Sequence, residues 1–153
     1  METKKLPWIQ RFNSYTNALA CLSRFIKKGN LNEFEEQGLI HLFECVHELA
    51  WKTLKDFFEH RGNQNLYGPK DATKNAIKEG LMVDEDGKIW MDMIQSRRMI
   101  PKAYHKTIAV EISAAIVGDY YPAFVALRER LKKLAEEETQ YESDGATPIK
   151  QCQ

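Results

Sequence analysis

The residues best suited to chemistry gather in one short stretch, WMDMIQSRRMIPKAYHK, residues 90–106. Arg97 and Arg98 end an amphipathic helical pattern, Pro101 interrupts it, and Lys102, Tyr104, His105 and Lys106 follow at once. Arginines at a helix C-terminus suit the macrodipole, which is an ordinary structural reason for Arg97 and Arg98. Lys102, His105 and Lys106 sit where the next helix begins, and cations there oppose the dipole. A second reading is therefore an anion site, in which Arg97, Arg98 and Lys102 join unpaired backbone N–H groups to hold a phosphate or carboxylate.

A second set of polar residues, His41, Glu44, His47, Glu48 and Lys52, interleaves with apolar residues upstream. Glu44, Glu48 and Lys52 recur at four-residue steps and can pair along one helix edge. If that edge faces a cleft, they become positioning groups for a ligand. Glu44-Cys45-Val46-His47 is also a Glu-x-x-His step, the unit of carboxylate-bridged metal sites in helical bundles. Such sites need a second step of the same kind, and the sequence has none, so no metal is expected. No Gly-rich phosphate loop and no nucleophile–base constellation stand out, and no cofactor is called for.

The elements that must position these residues are helical almost throughout. Phe12, Tyr15, Leu19, Leu22 and Ile26 recur at helical steps and predict a helix over about 8–28, ended by Gly29-Asn30. A longer helix over about 32–60 carries Leu39, Leu42, Phe43, Val46, Leu49, Ala50, Thr53, Leu54, Phe57 and Phe58. Gly68-Pro69 opens a short helix closed by Gly80. Asp84 to Gly87 reads as a turn, and a helix through Trp90, Met93 and Ile94 reaches about Met99. Trp51 and Trp90 both read as core. Pro101 disfavours helical geometry at Ile100. A fifth helix carries Ile108, Ile112, Ala115 and Ile116; Gly118 to Pro122 is expected to break it, before a last helix over about 122–137. The expectation is an all-α, antiparallel four-helix bundle with one short additional helix, residues 1–138, and a disordered tail, 139–153.

Bulk properties bound the function. At 153 residues the chain fits one domain. Lys and Arg number 22, as do Asp and Glu, so the net charge is zero. That disfavours gripping long nucleic acid by bulk electrostatics but leaves room for a local patch. Cys21, Cys45 and Cys152 lack metal-ligand spacing, and their odd number disfavours a disulfide framework. The N-terminus has no apolar secretory segment, and no apolar run approaches the ~18 residues needed to span a bilayer. A cytoplasmic protein without membrane contact is expected.

Several strings resemble the nucleotidyltransferase substrate-binding protein family, a branch of the HEPN superfamily related to HepT-type toxins. They are Trp8-Ile9-Gln10-Arg11-Phe12, Gly38-Leu39-Ile40 through Phe43-Glu44, Glu48-Leu49-Ala50-Trp51-Lys52-Thr53-Leu54-Lys55-Asp56, Pro69, Ala76 through Leu81, Trp90-Met91-Asp92-Met93, Arg97 and Tyr104. The resemblance spans about residues 8–135. It implies a helical bundle that forms a homodimer and partners a separate minimal nucleotidyltransferase, with a basic cleft for an anionic substrate or a nucleotide. Related HEPN toxins cleave RNA through a pattern of the type Arg-Asn-x-x-x-His-x-Tyr, whose tyrosine can accept a nucleotidyl group. Here Arg97 and Tyr104 match, Arg98 replaces the asparagine and Lys102 replaces the histidine. Lysine is cationic at neutral pH and a poor general base. The expectation is therefore a non-catalytic binding subunit, with Arg97, Arg98, Lys102, Glu44, Glu48 and Lys52 at the substrate and Tyr104 as a modification site. The alternative is a ribonuclease toxin using Arg98 and His105, silenced at Tyr104.

Overall fold

The computed structural model describes residues 6–145, with side chains as far as Thr139. Helix α1 (Pro7–Lys28) and helix α2 (Glu33–His60) form an antiparallel hairpin. The reversal uses Gly29 and Asn30, both at positive φ, 63° and 47°, which Gly and Asn adopt most cheaply. Asn32 then starts α2 with a capping box: its side chain accepts from the Glu35 amide while the Glu35 carboxylate accepts from the Asn32 amide. Lys28 pairs with Glu35 across the turn at 2.9 Å. At the hairpin's far end, Trp8 meets Phe57 edge-on and Arg11 bonds Asp56 at 2.7 Å.

Helix α3 (Pro69–Lys78) is the short addition and packs against α2 and helix α4 (Asp84–Met99). The expected turn at Asp84–Gly87 is instead the first turn of α4. Asp84, Glu85 and Asp86 suit the positive end of the helix dipole, and Gly87 is buried where a Cβ would collide with Ile77 of α3. The glycine serves close helix packing, not chain reversal. After α4 the chain tightens into a 3₁₀ turn, Ile100–Lys102. Ile100 keeps helical angles despite the proline behind it, so Pro101 tightens the helix end without extending the chain.

The expected break at Gly118–Pro122 is not there. Helix α5 (Lys106–Ala115) passes through a π turn, Ile116–Tyr120, directly into α6 (Tyr121–Gly145). Pro122 is tolerated beside the π turn because the i→i+5 ladder has already displaced the usual i→i+4 bonds. The helix continues past its expected end near residue 137 to Gly145, through the first part of the expected tail; the rest of that tail, 146–153, lies outside the described residues. Four long helices result (α1, α2, α4 and the joined α5–α6), with α3 as the short fifth, and no strand occurs among the described residues.

The core runs along the bundle axis: Trp8, Tyr15, Leu19 and Leu22 from α1, Phe43, Val46, Ala50 and Leu54 from α2, Trp90 and Met93 from α4, and Ile116, Phe124 and Leu131 from the joined helix. Each large apolar side chain among them contributes roughly 1.5–3 kcal/mol when fully buried. Tyr15 ties the layers by donating its hydroxyl to the Phe124 carbonyl at 2.6 Å. One helix, 106–139, is long and apolar enough by length and composition to cross a bilayer, with an 18-residue window of mean hydropathy 1.3. No continuous apolar run signals it, since Glu111 and Asp119 interrupt the sequence. Its Ala109, Ile112, Ile116, Phe124 and Leu127 pack into the bundle, while Val110 and Val117 are exposed.

Candidate functional site

The corner between α4 and α5 separates two pockets whose residues run together in the sequence. The first is a cleft of about 420 Å³ between α2, α4 and the start of α3, lined by Glu44, His47, Glu48, Trp51, Pro69, Ile94, Arg97 and Arg98. The four-residue step along α2 turns Glu44 and Glu48 toward α4, whose last turn brings Arg97 against them and Arg98 into the same cleft. The Arg97 Nη1 group donates to Glu48 Oε1 at 2.9 Å and to His47 Nδ1 at 3.1 Å. Glu48 also accepts from the Trp51 indole at 3.1 Å and pairs with Lys52 at 2.9 Å. Burial alone would raise the Glu48 pKa, but hydrogen bonds from Lys52, Arg97 and Trp51 outweigh it and bring the carboxyl down to about 2.

His47 is the residue whose role sequence reasoning missed. Grouped there with the polar face of α2, it is fully buried, its ring near both Phe43 and Trp90. Burial disfavours its charged form and the Arg97 cation reinforces this, against Glu48, so its pKa falls to about 3. The imidazole is thus neutral at physiological pH, with Nδ1 accepting from Arg97, which can only donate. Its Nε2 has no hydrogen-bond partner among the described residues. The signal was present: His47 lies four residues after Phe43 and beside Val46, on the apolar stripe. Trp51, expected in the core, is only half-buried and forms part of the cleft wall. The Glu44-x-x-His47 step therefore faces a guanidinium that already occupies the histidine's Nδ1.

The second pocket is a groove of about 500 Å³ lined by Glu33, Phe34, Glu36 and Gln37 of α2 and by Ile100, Pro101, Ala103, Tyr104, Lys106 and Ala109. Gln37 donates to the Ala103 carbonyl at 2.9 Å, pinning the 3₁₀ turn to α2. Phe34 is 86% exposed and Tyr104 77%. The Tyr104 and His105 rings lie 4.3 Å apart.

The expected site residues divide accordingly. Glu44, Glu48, Arg97 and Arg98 come together, and Lys52 joins them through Glu48. Lys102 lines neither pocket; it is exposed on the 3₁₀ turn. Arg98 belongs to the cleft, whereas His105 does not line it and lies against Tyr104. A basic cleft was expected; two carboxylates from α2 share its lining with two guanidinium groups from α4, and Lys52 adds a third cation through Glu48.

The fold and the cleft define a class: an all-α bundle that displays a hydrogen-bonded pocket of mixed charge at the meeting of three helices. The sequence pattern of the family described as nucleotidyltransferase substrate binding protein like matches residues 10–133, and this chain belongs to that family. A crystallised protein from Thermus thermophilus is similar in fold, at 24% identity and a TM-score of 0.71, over 76% of this chain and 98% of that one. No curated protein matches the sequence.

Proposed function

We propose that the protein is a non-catalytic subunit that partners a separate nucleotidyltransferase in the cytoplasm and uses the Arg97 cleft to help hold that enzyme's substrate or nucleotide. The observation that carries this reading is the Arg97–Glu48–His47 assembly, a hydrogen-bonded polar wall in a family named for substrate binding. Hydrogen-bonded groups fixed before a ligand arrives bind it with little reorganisation cost. A second copy of the chain is the expected partner for the exposed side of α5 and the π turn, where Val110 and Val117 are each 47% exposed. The test is reconstitution with a minimal nucleotidyltransferase. Complex formation by size-exclusion chromatography with light scattering, with two copies of this chain per complex, is the expected result. A monomer that never associates with the enzyme overturns the reading.

Tyr104 supports a second, compatible role as an acceptor of a nucleotidyl group, because its side chain stands in solvent on a turn an enzyme can reach. Its phenolic oxygen would attack the α-phosphorus of a nucleoside triphosphate, lose its proton and release pyrophosphate. Intact-mass measurement after incubation with the enzyme and a triphosphate should show one nucleotidyl adduct, absent in Tyr104→Phe. An adduct that persists in that variant removes Tyr104 from this role.

A further inference from the structure

The contacts of the cleft sort its charged groups into two sets. Glu48 is the most engaged of them: one oxygen takes Arg97 and Trp51, the other Lys52. Arg97 spends its Nη1 on Glu48 and His47 together. These groups hold one another and form the wall, although the Arg97 Nη2 group, 3.9 Å from Glu44, makes no hydrogen bond among the described residues. Glu44 and Arg98 stand apart from them. The only opposite charge within 4 Å of Glu44 among the described residues is Arg97 at 3.9 Å, beyond hydrogen-bond distance. Arg98 makes one long contact, 3.4 Å to Gln95. They project from facing helices into the same cleft, with the apolar surfaces of Trp51, Ile94 and Pro69 also lining it.

A ligand that fits must answer both signs. A purely anionic group would meet Glu44 unpaired, and a purely cationic one would meet Arg98. We infer that Glu44 and Arg98 are the ligand-facing pair, that Arg97 serves as scaffold, and that the ligand is a nucleotide with an amino-bearing base. Its phosphate lies on Arg98, its exocyclic amino group donates to Glu44, and its flat base lies against Trp51. The Trp51 indole is already oriented by its bond to Glu48, so the platform is set before the base arrives. The cleft volume falls in the range of small-molecule sites. This inference rests on the reading of the cleft as the substrate-holding pocket and specifies which of its groups touch the ligand.

Isothermal titration of the isolated protein with ATP, inosine triphosphate and inorganic tripolyphosphate tests it. Inosine carries a carbonyl where adenine carries the amino group. The expected order is ATP tightest, the inosine nucleotide roughly tenfold weaker and tripolyphosphate weaker again. Glu44→Gln should shrink the difference between the two nucleotides, because a neutral amide can donate to a carbonyl as well as accept. Arg98→Gln should weaken both nucleotides alike. Tripolyphosphate binding as tightly as ATP, an unchanged nucleotide ratio in Glu44→Gln, or no ATP binding at all overturns the assignment. Association with the nucleotidyltransferase, measured separately, would survive any of these results.

Discussion

The Arg97 cleft and the Tyr104 groove lie on either side of one helix corner and are built on opposite principles. In the cleft the wall groups hold one another, Arg97 bonded to Glu48 and His47 and Glu48 to three donors, with Glu44 and Arg98 left apart. In the groove the prominent side chains, Phe34 and Tyr104, stand largely in solvent. The first is an open cleft whose wall is already hydrogen-bonded. The second is a surface whose aromatic residues remain available to something outside. Adjacent sequence can thus supply both a fixed site and an accessible one, provided a tight turn such as Ile100–Lys102 separates them.

The largest expected effect comes from breaking the cleft at its hub. Arg97→Ala leaves the Glu48 carboxylate and the buried His47 acceptor without their shared donor. It should cost about 1–3 kcal/mol in urea denaturation, whereas Lys102→Ala, on the exposed turn, should change stability by less than about 0.5 kcal/mol. Equal losses in the two variants would erase the distinction between wall and surface.

Acid should separate the regions next. The folded pKa of His47 is depressed from 6.5 to about 3, so its neutral form contributes stability that is present above pH 6.5 and is lost as pH falls toward 3. The unfolded chain binds the proton first, giving a slope of up to about 1.4 kcal/mol per pH unit in that window. Glu48, also depressed, adds its loss only below pH 4.5, down to about 2. Denaturation midpoints measured between pH 7 and 5 should therefore fall in wild type and flatten in His47→Phe. The same flattening in Tyr104→Phe would contradict the assignment.

The smallest effect belongs to the groove. Phe34→Ser and Tyr104→Ala should each leave the melting transition within about 0.5 kcal/mol of wild type, because neither side chain has much burial to lose. A large loss in either variant would mean that the groove is part of the core.

Most of the helical frame was legible because apolar spacing records which face is buried. Phe12 through Ile26 and Leu39 through Phe58 announce α1 and α2 by period alone. The turn chemistry misleads at two places for the same reason: glycine reads as a breaker where it serves another purpose. Gly87 lets α3 and α4 approach, and Gly118 sits inside a π turn that keeps the helix unbroken. Glu44, Glu48, Arg97 and Arg98 were legible as charged residues on facing helices. Their mixing in one cleft was not, since a sequence shows charges along the chain and not across a cleft. His47 escaped because a polar residue on an apolar stripe is easily counted with its polar neighbours, while its partner Arg97 lies fifty residues away.

The π turn at Ile116–Tyr120 has a consequence for how this chain tolerates changes in its length. A π turn holds one residue more than an α-helical ladder needs over the same span. Loss of Gly118, around which there is open space, would let the segment relax into an α-helix while the flanking faces, Ile112 before it and Phe124 after it, keep their directions. Removing a single residue from the middle of α2, such as Cys45, would rotate everything beyond it by about 100° around the helix axis and turn Leu54 and Phe57 out of the bundle. The same deletion is thus a local adjustment in one helix and a loss of the fold in another, and the joined helix carries the spare residue at its own midpoint.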